Sequence, residues 1–147
     1  MRLISTASSV TAVSTRLFLG SAADAEWLAK DNPHQIRTVI TLCEERVKQR
    51  APDIRYVQCP VRDAHPIPTA LLTAILEAIY EGVAQGATLV HCHAGISRAP
   101  TLVAAFLDQT GSARFEEAIR TLRKLRSEIA PSPNLIRRIT SGIVYED

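Results

Sequence analysis

The amino-acid sequence predicts an α/β fold, with a central, mainly parallel sheet flanked by helices. Short β-branched apolar runs alternate with longer segments whose apolar residues recur at three-and-four spacing. Strands that alternate with helices pair in parallel, and a ligand site then falls beyond the carboxyl end of a strand. One such end stands out. The apolar run Thr88-Leu89-Val90 leads into His91-Cys92-His93-Ala94-Gly95-Ile96-Ser97-Arg98, and a helical pattern follows.

Taken in order, Val10 to Val13 and Leu17 to Leu19 read as two short β segments. The same opening stretch carries Arg2, Arg16, many Ser and Thr and no acid, a composition that also fits a transit peptide. Arg37 to Leu42, Ile54 to Cys59 and Thr88 to Cys92 are bounded by polar or turn residues, as buried strands are. Leu71, Leu72, Ile75, Leu76, Ile79, Tyr80 and Val83 share one helical face. They predict a helix from Thr69 to Ala84, with Pro68 near its start and Gly82 or Gly86 near its end. Leu102, Val103, Phe106 and Leu107 mark a helix after the loop, with Pro100 suited to its first turn. Phe115, Ala118, Ile119, Leu122, Leu125 and Ile129 mark another. Pro131 and Pro133 then break the chain before a last short helix near Asn134 to Gly142. A chain of 147 residues without a linker or repeat reads as a single domain, 1–147.

Hydrophobic content of 46% and charged content of 22% are ordinary for a soluble chain. A net charge of +2 is too small to argue for nucleic acid. The late basic residues Arg114, Arg120, Arg123, Lys124, Arg126, Arg137 and Arg138 read as solvated helix faces, without the aromatic interleaving of a nucleic-acid site. A docking surface for an acidic partner is the other reading. No apolar run approaches a membrane span of about 18 residues, so neither a nucleic acid nor a membrane is expected as partner. Three widely spaced cysteines make no disulfide framework, which suggests a reducing compartment, the cytoplasm.

A strand, a tight loop and a helix can together hold a tetrahedral anion. Inward-turned loop amides join the helix N-terminus as one positive concavity. Arg98 closes that loop with a planar fork able to grip two anion oxygens. Cys92 opens it. Thiols beside cations or a helix N-terminus ionise more readily than in water, so the loop is expected to bind phosphate and to present a thiolate that attacks it. A metal reading of His91, Cys92 and His93 fails on geometry, because adjacent side chains of a strand point to opposite faces. No metal and no cofactor are expected.

The His-Cys-x5-Arg pattern resembles the signature of the protein tyrosine phosphatase superfamily, and its small dual-specificity branch most of all, through His91-Cys92-x-Ala94-Gly95-x-Ser97-Arg98. Arg16-Leu17-Phe18-Leu19-Gly20-Ser21 with Asp24-Ala25 looks like that branch's opening strands, which favours strands over a transit peptide. Val39-Ile40-Thr41-Leu42 looks like its next core strand. The resemblance implies a single-domain cysteine-phosphatase fold. It also implies Cys92 as nucleophile, Arg98 and residues His93, Ala94, Gly95, Ile96 and Ser97 as phosphate binders, and His91 as a buried support. Asp63, upstream in Val61-Arg62-Asp63-Ala64-His65-Pro66, lies where the family keeps its general acid. The expected substrate is a phosphorylated protein or small phosphomonoester, with phosphotyrosine and phosphoserine/threonine both accepted. Tyr56 and His65 are candidates for the pocket rim.

Two departures stand beside the likeness. Ala99 follows Arg98 where most of the family has Ser or Thr, which puts turnover in doubt and leaves a phosphate-binding module of weak catalysis as the alternative. His93 and Ile96 replace basic residues of phosphoinositide-directed relatives, so inositol phospholipid is a poor substrate guess. Cys43 follows the strand Val39 to Leu42 in a segment resembling one that carries a redox-partner cysteine in some relatives. Its other reading is a small core residue, and Cys59 reads as core.

Overall fold

In the computed structural model, which describes residues 10–62, 65–131 and 135, nine elements alternate along the chain. They are β1 (Thr11–Ala12), β2 (Leu17–Gly20), α1 (Ala22–Trp27), β3 (Ile36–Thr41), β4 (Arg55–Gln58), α2 (Thr69–Gln85), β5 (Ala87–His91), α3 (Arg98–Gln109) and α4 (Phe115–Leu125). The five strands form one sheet in the order β1-β2-β5-β3-β4. Only the β1–β2 pair is antiparallel; β2–β5, β5–β3 and β3–β4 are parallel. The expected mainly parallel sheet is therefore present, and β5 runs up its middle.

Side chains alternate across the sheet and both faces are covered. Leu17, Leu19, Ile40 and Val90 pack with Leu72, Ile75 and Ile79 of α2 and with Leu102, Val103, Ala118 and Leu122 of α3 and α4. Their strand neighbours Phe18, Val39 and Leu89 pack on the other face with Ala25, Leu28, Val47 and Ile54. This period of two, with both sides apolar, is why these strands read as unbroken hydrophobic runs.

Three boundaries differ from the sequence reading. Asp24 and Ala25, grouped above with the opening strands, belong to α1. The cause is local: the Ser21 hydroxyl accepts the Asp24 N–H at 3.2 Å and the Asp24 carboxylate accepts the Ser21 N–H at 2.8 Å, a reciprocal cap that starts a helix. The helix after the loop begins at Arg98, earlier than its apolar pattern suggested. Finally, α4 stops at Leu125, which is 50% exposed, whereas Ile129 is buried beyond the helix. Arg126 turns to an extended backbone there. Of the last predicted helix only Leu135 is described, helical and buried in the core.

Gly82 shows how closely α2 sits on the sheet. A Cβ at this position would lie 2.6 Å from Thr88 Oγ1 and 3.3 Å from Thr38 Cγ2, both on buried, β-branched residues. Alanine improves helix propensity by about 1 kcal/mol, but overpacking a stiff interior costs about 1–3 kcal/mol. Gly82→Ala is expected to lower the urea midpoint with an unchanged denaturant slope. A raised midpoint would show that the two threonines yield without cost.

Candidate active site

The site is built where β5 ends. Leu42 N–H donates to the His91 carbonyl at 2.9 Å, which fixes the end of β3 beside the end of β5. Residues 92–97 then turn into α3. Cys92 is buried, and its Sγ accepts the N–H of Ala99 at 3.4 Å. The sulfur thus sits against the first turn of a 12-residue helix whose leading N–H groups have no partner within the helix. Ser97 stands at the cap position, yet its side chain makes no capping bond. Its carbonyl instead accepts Thr101 N–H at 3.2 Å and Thr101 Oγ1–H at 2.7 Å. The Ser97 hydroxyl therefore leaves the N-terminal amides of α3 uncapped.

The loop is held from outside through its carbonyls. The His93 carbonyl accepts Ala22 N–H at 2.9 Å and the Ile96 carbonyl accepts Ala130 N–H at 2.7 Å. The Cys92 carbonyl lies 3.0 Å from His91 Nδ1. In a planar trans peptide the C=O and the following N–H point oppositely. Outward carbonyls at 92, 93 and 96 therefore turn the N–H groups of His93, Ala94 and Ser97 the other way, into the loop. Such convergent amides can hold an anion.

Gly95 has φ +77°, where side chains are disfavoured, and a Cβ there would lie 2.7 Å from the Gly20 carbonyl oxygen and 3.0 Å from Arg126 Nη2. A side chain at this position would therefore collide with the turn that follows β2.

His91 is buried and its imidazole pKa is lowered, first by burial. A carbonyl accepts at Nδ1, so Nδ1 carries the proton and Nε2 accepts the Thr41 hydroxyl at 2.8 Å. Both contacts suit a neutral ring.

Arg98 donates from Nη1 to the Val61 carbonyl at 3.1 Å. Together with Glu44, Glu45, Val61, Arg62, His65 and His93 it lines a cleft of about 370 Å³. Asp63 lies outside the described residues, but Arg62 and His65 on either side of it line this cleft. Tyr56 does not: its hydroxyl accepts Ala51 N–H at 2.9 Å and its ring packs with the opposite core.

Cys43 is buried, its Sγ lies 3.7 Å from the Glu45 carbonyl, and burial followed by the nearby Glu45 charge raises its pKa. Cys59 is half-buried against the core, with its thiol pKa also raised by burial. Asp24 and Arg126 meet next to the loop, a pairing that the sequence does not reveal. Arg126 was placed with the solvated basic faces, yet its side chain is only 12% exposed and its Nη2 lies 3.9 Å from Asp24 Oδ2. Arg114, Arg120, Arg123 and Lys124 do face solvent.

A mainly parallel α/β sheet whose central strand delivers a cysteine to a helix N-terminus, with an arginine closing the loop, defines an α/β protein of the cysteine-loop class. The family model described as the dual specificity phosphatase catalytic domain matches residues 17–142, so the chain belongs to that family. Human dual specificity protein phosphatase 5 is 35% identical over 121 residues, 79% of this chain and 31% of that protein. Dual specificity protein phosphatase 18 of Rattus norvegicus is 37% identical over 107 residues, 68% of this chain and 50% of that protein. The chain thus spans about a third to a half of the length of these relatives. The solved structure of DUSP15 superposes with a TM-score of 0.81 at 25% identity, covering 90% of this chain and 85% of that one. Human DUSP28 gives 0.76 at 26% identity, covering 90% and 93%.

The His91 ring makes stability depend on pH. Its folded pKa lies below the ordinary value near 6.5, so the unfolded chain binds the proton first as pH falls. Stability is expected to be full above about pH 6.5 and to decline from there toward the lowered folded pKa. Thermal unfolding of His91→Gln should show a flatter slope in this window than wild type. Identical slopes would mean that the ring is not held neutral.

Proposed function

We propose that the chain is a cysteine-dependent phosphomonoester hydrolase that acts on phosphotyrosine and on phosphoserine/threonine in proteins. The observation that carries the reading is Cys92 Sγ against the Ala99 N–H at the start of α3, inside a loop whose carbonyls face outward. Membership of the dual specificity phosphatase family supports the reaction class. The three cysteines carry free thiols, which fits a reducing compartment such as the cytoplasm. Among the described residues no helix is long and apolar enough to cross a membrane.

In the proposed reaction the Cys92 sulfur attacks phosphorus, the S–P bond forms and the bond from phosphorus to the leaving oxygen breaks. The loop amides and the Arg98 guanidinium hold the phosphoryl oxygens as charge shifts among them. Asp63 gives its proton to the departing oxygen. Water then attacks the phosphocysteine and yields a proton to the Asp63 carboxylate, releasing inorganic phosphate and the thiolate. Cys43 as a redox partner of Cys92 is supported by the adjoining strand ends alone. Its raised pKa makes it a sluggish nucleophile.

Hydrolysis of p-nitrophenyl phosphate tests the reading. Cys92→Ser should abolish turnover while orthovanadate still binds, because Arg98 and the amides remain; turnover within about tenfold of wild type would remove Cys92 as the nucleophile. Asp63→Asn should slow phosphoserine peptides far more than activated aryl phosphates, which leave without a proton. Uniform slowing would assign Asp63 a structural role.

Ala99 generates a kinetic prediction. It offers the thiolate an N–H but no hydroxyl, and Thr101 is engaged with the Ser97 carbonyl. A hydrogen bond to a charged group contributes about 1.5–3 kcal/mol, and about 1.4 kcal/mol is tenfold in rate. Breakdown of the phosphocysteine should be slower by roughly one to two powers of ten than with a hydroxyl present. Rapid mixing with p-nitrophenyl phosphate should show a burst near one equivalent, and Ala99→Ser should raise the steady rate. A trace without a burst, unchanged by the serine, would mean that breakdown is not limiting.

A further inference from the structure

Beside the loop, and outside the lining of the cleft, lies a buried ion pair that the reaction above does not use. Asp24, 4% exposed, accepts the Ser21 N–H at 2.8 Å and the Ser21 hydroxyl at 3.1 Å, and lies 3.9 Å from Arg126 Nη2. Arg126 Nη1 donates to Thr11 Oγ1 at 3.1 Å. Two charges in such a place lose much of their hydration, and an ion pair so buried is weak evidence of stabilisation. Its position suggests another role.

Both partners lead directly to the groups that orient the loop. Asp24 shapes the turn Gly20–Ala22, and this turn supplies the Ala22 N–H that fixes the His93 carbonyl. It also supplies the Gly20 carbonyl on which Gly95 rests. Arg126 ends α4 and starts the segment whose Ala130 N–H fixes the Ile96 carbonyl, while its guanidinium abuts Gly95. The pair ties together the two clamps that turn the Ala94 and Ser97 amides inward. We propose that Asp24 and Arg126 are positioning residues for the loop: their mutual attraction locks its peptide planes in the anion-binding orientation. This rests on the loop being the phosphate site.

The orientation of the amides matters at every stage in which the loop holds a phosphoryl group, so its loss weakens anion binding and slows turnover together. A misplacement originating away from the reacting atoms can cost about a hundredfold. Arg16 serves as the control, because its Nη1 similarly joins distant segments, reaching the carbonyls of Val83 and Ala84 at 3.0 and 3.2 Å, and none of these residues lines the cleft or touches the loop.

The experiment compares wild type, Arg126→Met, Asp24→Asn, the double variant and Arg16→Met. It measures the dissociation constant of orthovanadate, kcat and KM for p-nitrophenyl phosphate, and melting temperature. Each single variant at the pair is expected to weaken vanadate about ten- to a hundredfold and to lower kcat. The double variant should lose no more than the worse single one, since both break the same link. Arg16→Met should lower only the melting temperature. Unchanged vanadate affinity at the pair, additive losses in the double variant, or an equal loss of affinity in Arg16→Met would each overturn the proposal. Asp24→Asn keeps the side chain's shape and carries the test alone if Arg126→Met does not fold. The Ala94 and Ser97 amide resonances of the ligand-free protein supply a readout independent of activity. They should shift or broaden in Asp24→Asn, and unmoved resonances would overturn the brace. A wild-type protein that neither binds vanadate nor turns over would instead remove the phosphatase reading.

Discussion

The fixing of the peptide planes between Cys92 and Ser97 is the constraint on which the site depends. A tight loop at a strand end has no ladder of its own to align its amides, and each plane can rotate until something holds the carbonyl. Here the carbonyls of Cys92, His93 and Ile96 are held by His91, Ala22 and Ala130, which belong to three different parts of the chain. Because a peptide is rigid, holding an oxygen outside aims the next N–H inside. Contacts within the protein thus set the amide directions, which is the preorganisation that the proposed anion site requires.

The sheet makes these three supports coincide. β5 lies between β2 and β3, so the turn after β2 reaches the loop from one side and the end of β3 reaches it from the other. His91 closes β5 with a ring that bridges back to Thr41, its register partner on β3. Burial lowers the pKa of that ring and so favours its neutral form. The helix that follows adds N-terminal N–H groups that have no partner within the first turn, and the Ser97 side chain makes no capping bond to them.

Stability and function pull apart in this arrangement. Covering both faces of the sheet with apolar residues stabilises the fold by burial alone. The Asp24–Arg126 pair and the left-handed Gly95 serve geometry instead, and a well-packed apolar replacement for such a pair is often neutral or stabilising. The same split runs through the cysteines, where burial raises the thiol pKa of Cys43 and Cys59 while Cys92 lies against the α3 N-terminus and Ala99 N–H.

What the sequence determined by itself was local. Short continuous apolar runs set β2, β3 and β5, three-and-four spacing set α2 and α3, and the Cys-x5-Arg spacing set the loop, because each depends only on neighbours along the chain. Even the start of α1 was written there, in Ser21 and Asp24, as a capping pair that the grouping with strands overlooked. Tertiary structure decided what depends on distant segments meeting. Leu125 belongs to the apolar stripe of α4 by spacing, yet it is half exposed as the last residue of the helix, while Arg126 after it turns inward. Arg126 looked like one more solvated base until Asp24, far away in sequence, drew it under the loop. Gly95 is required by the Gly20 carbonyl pressing from behind, and no spacing along the chain encodes that approach.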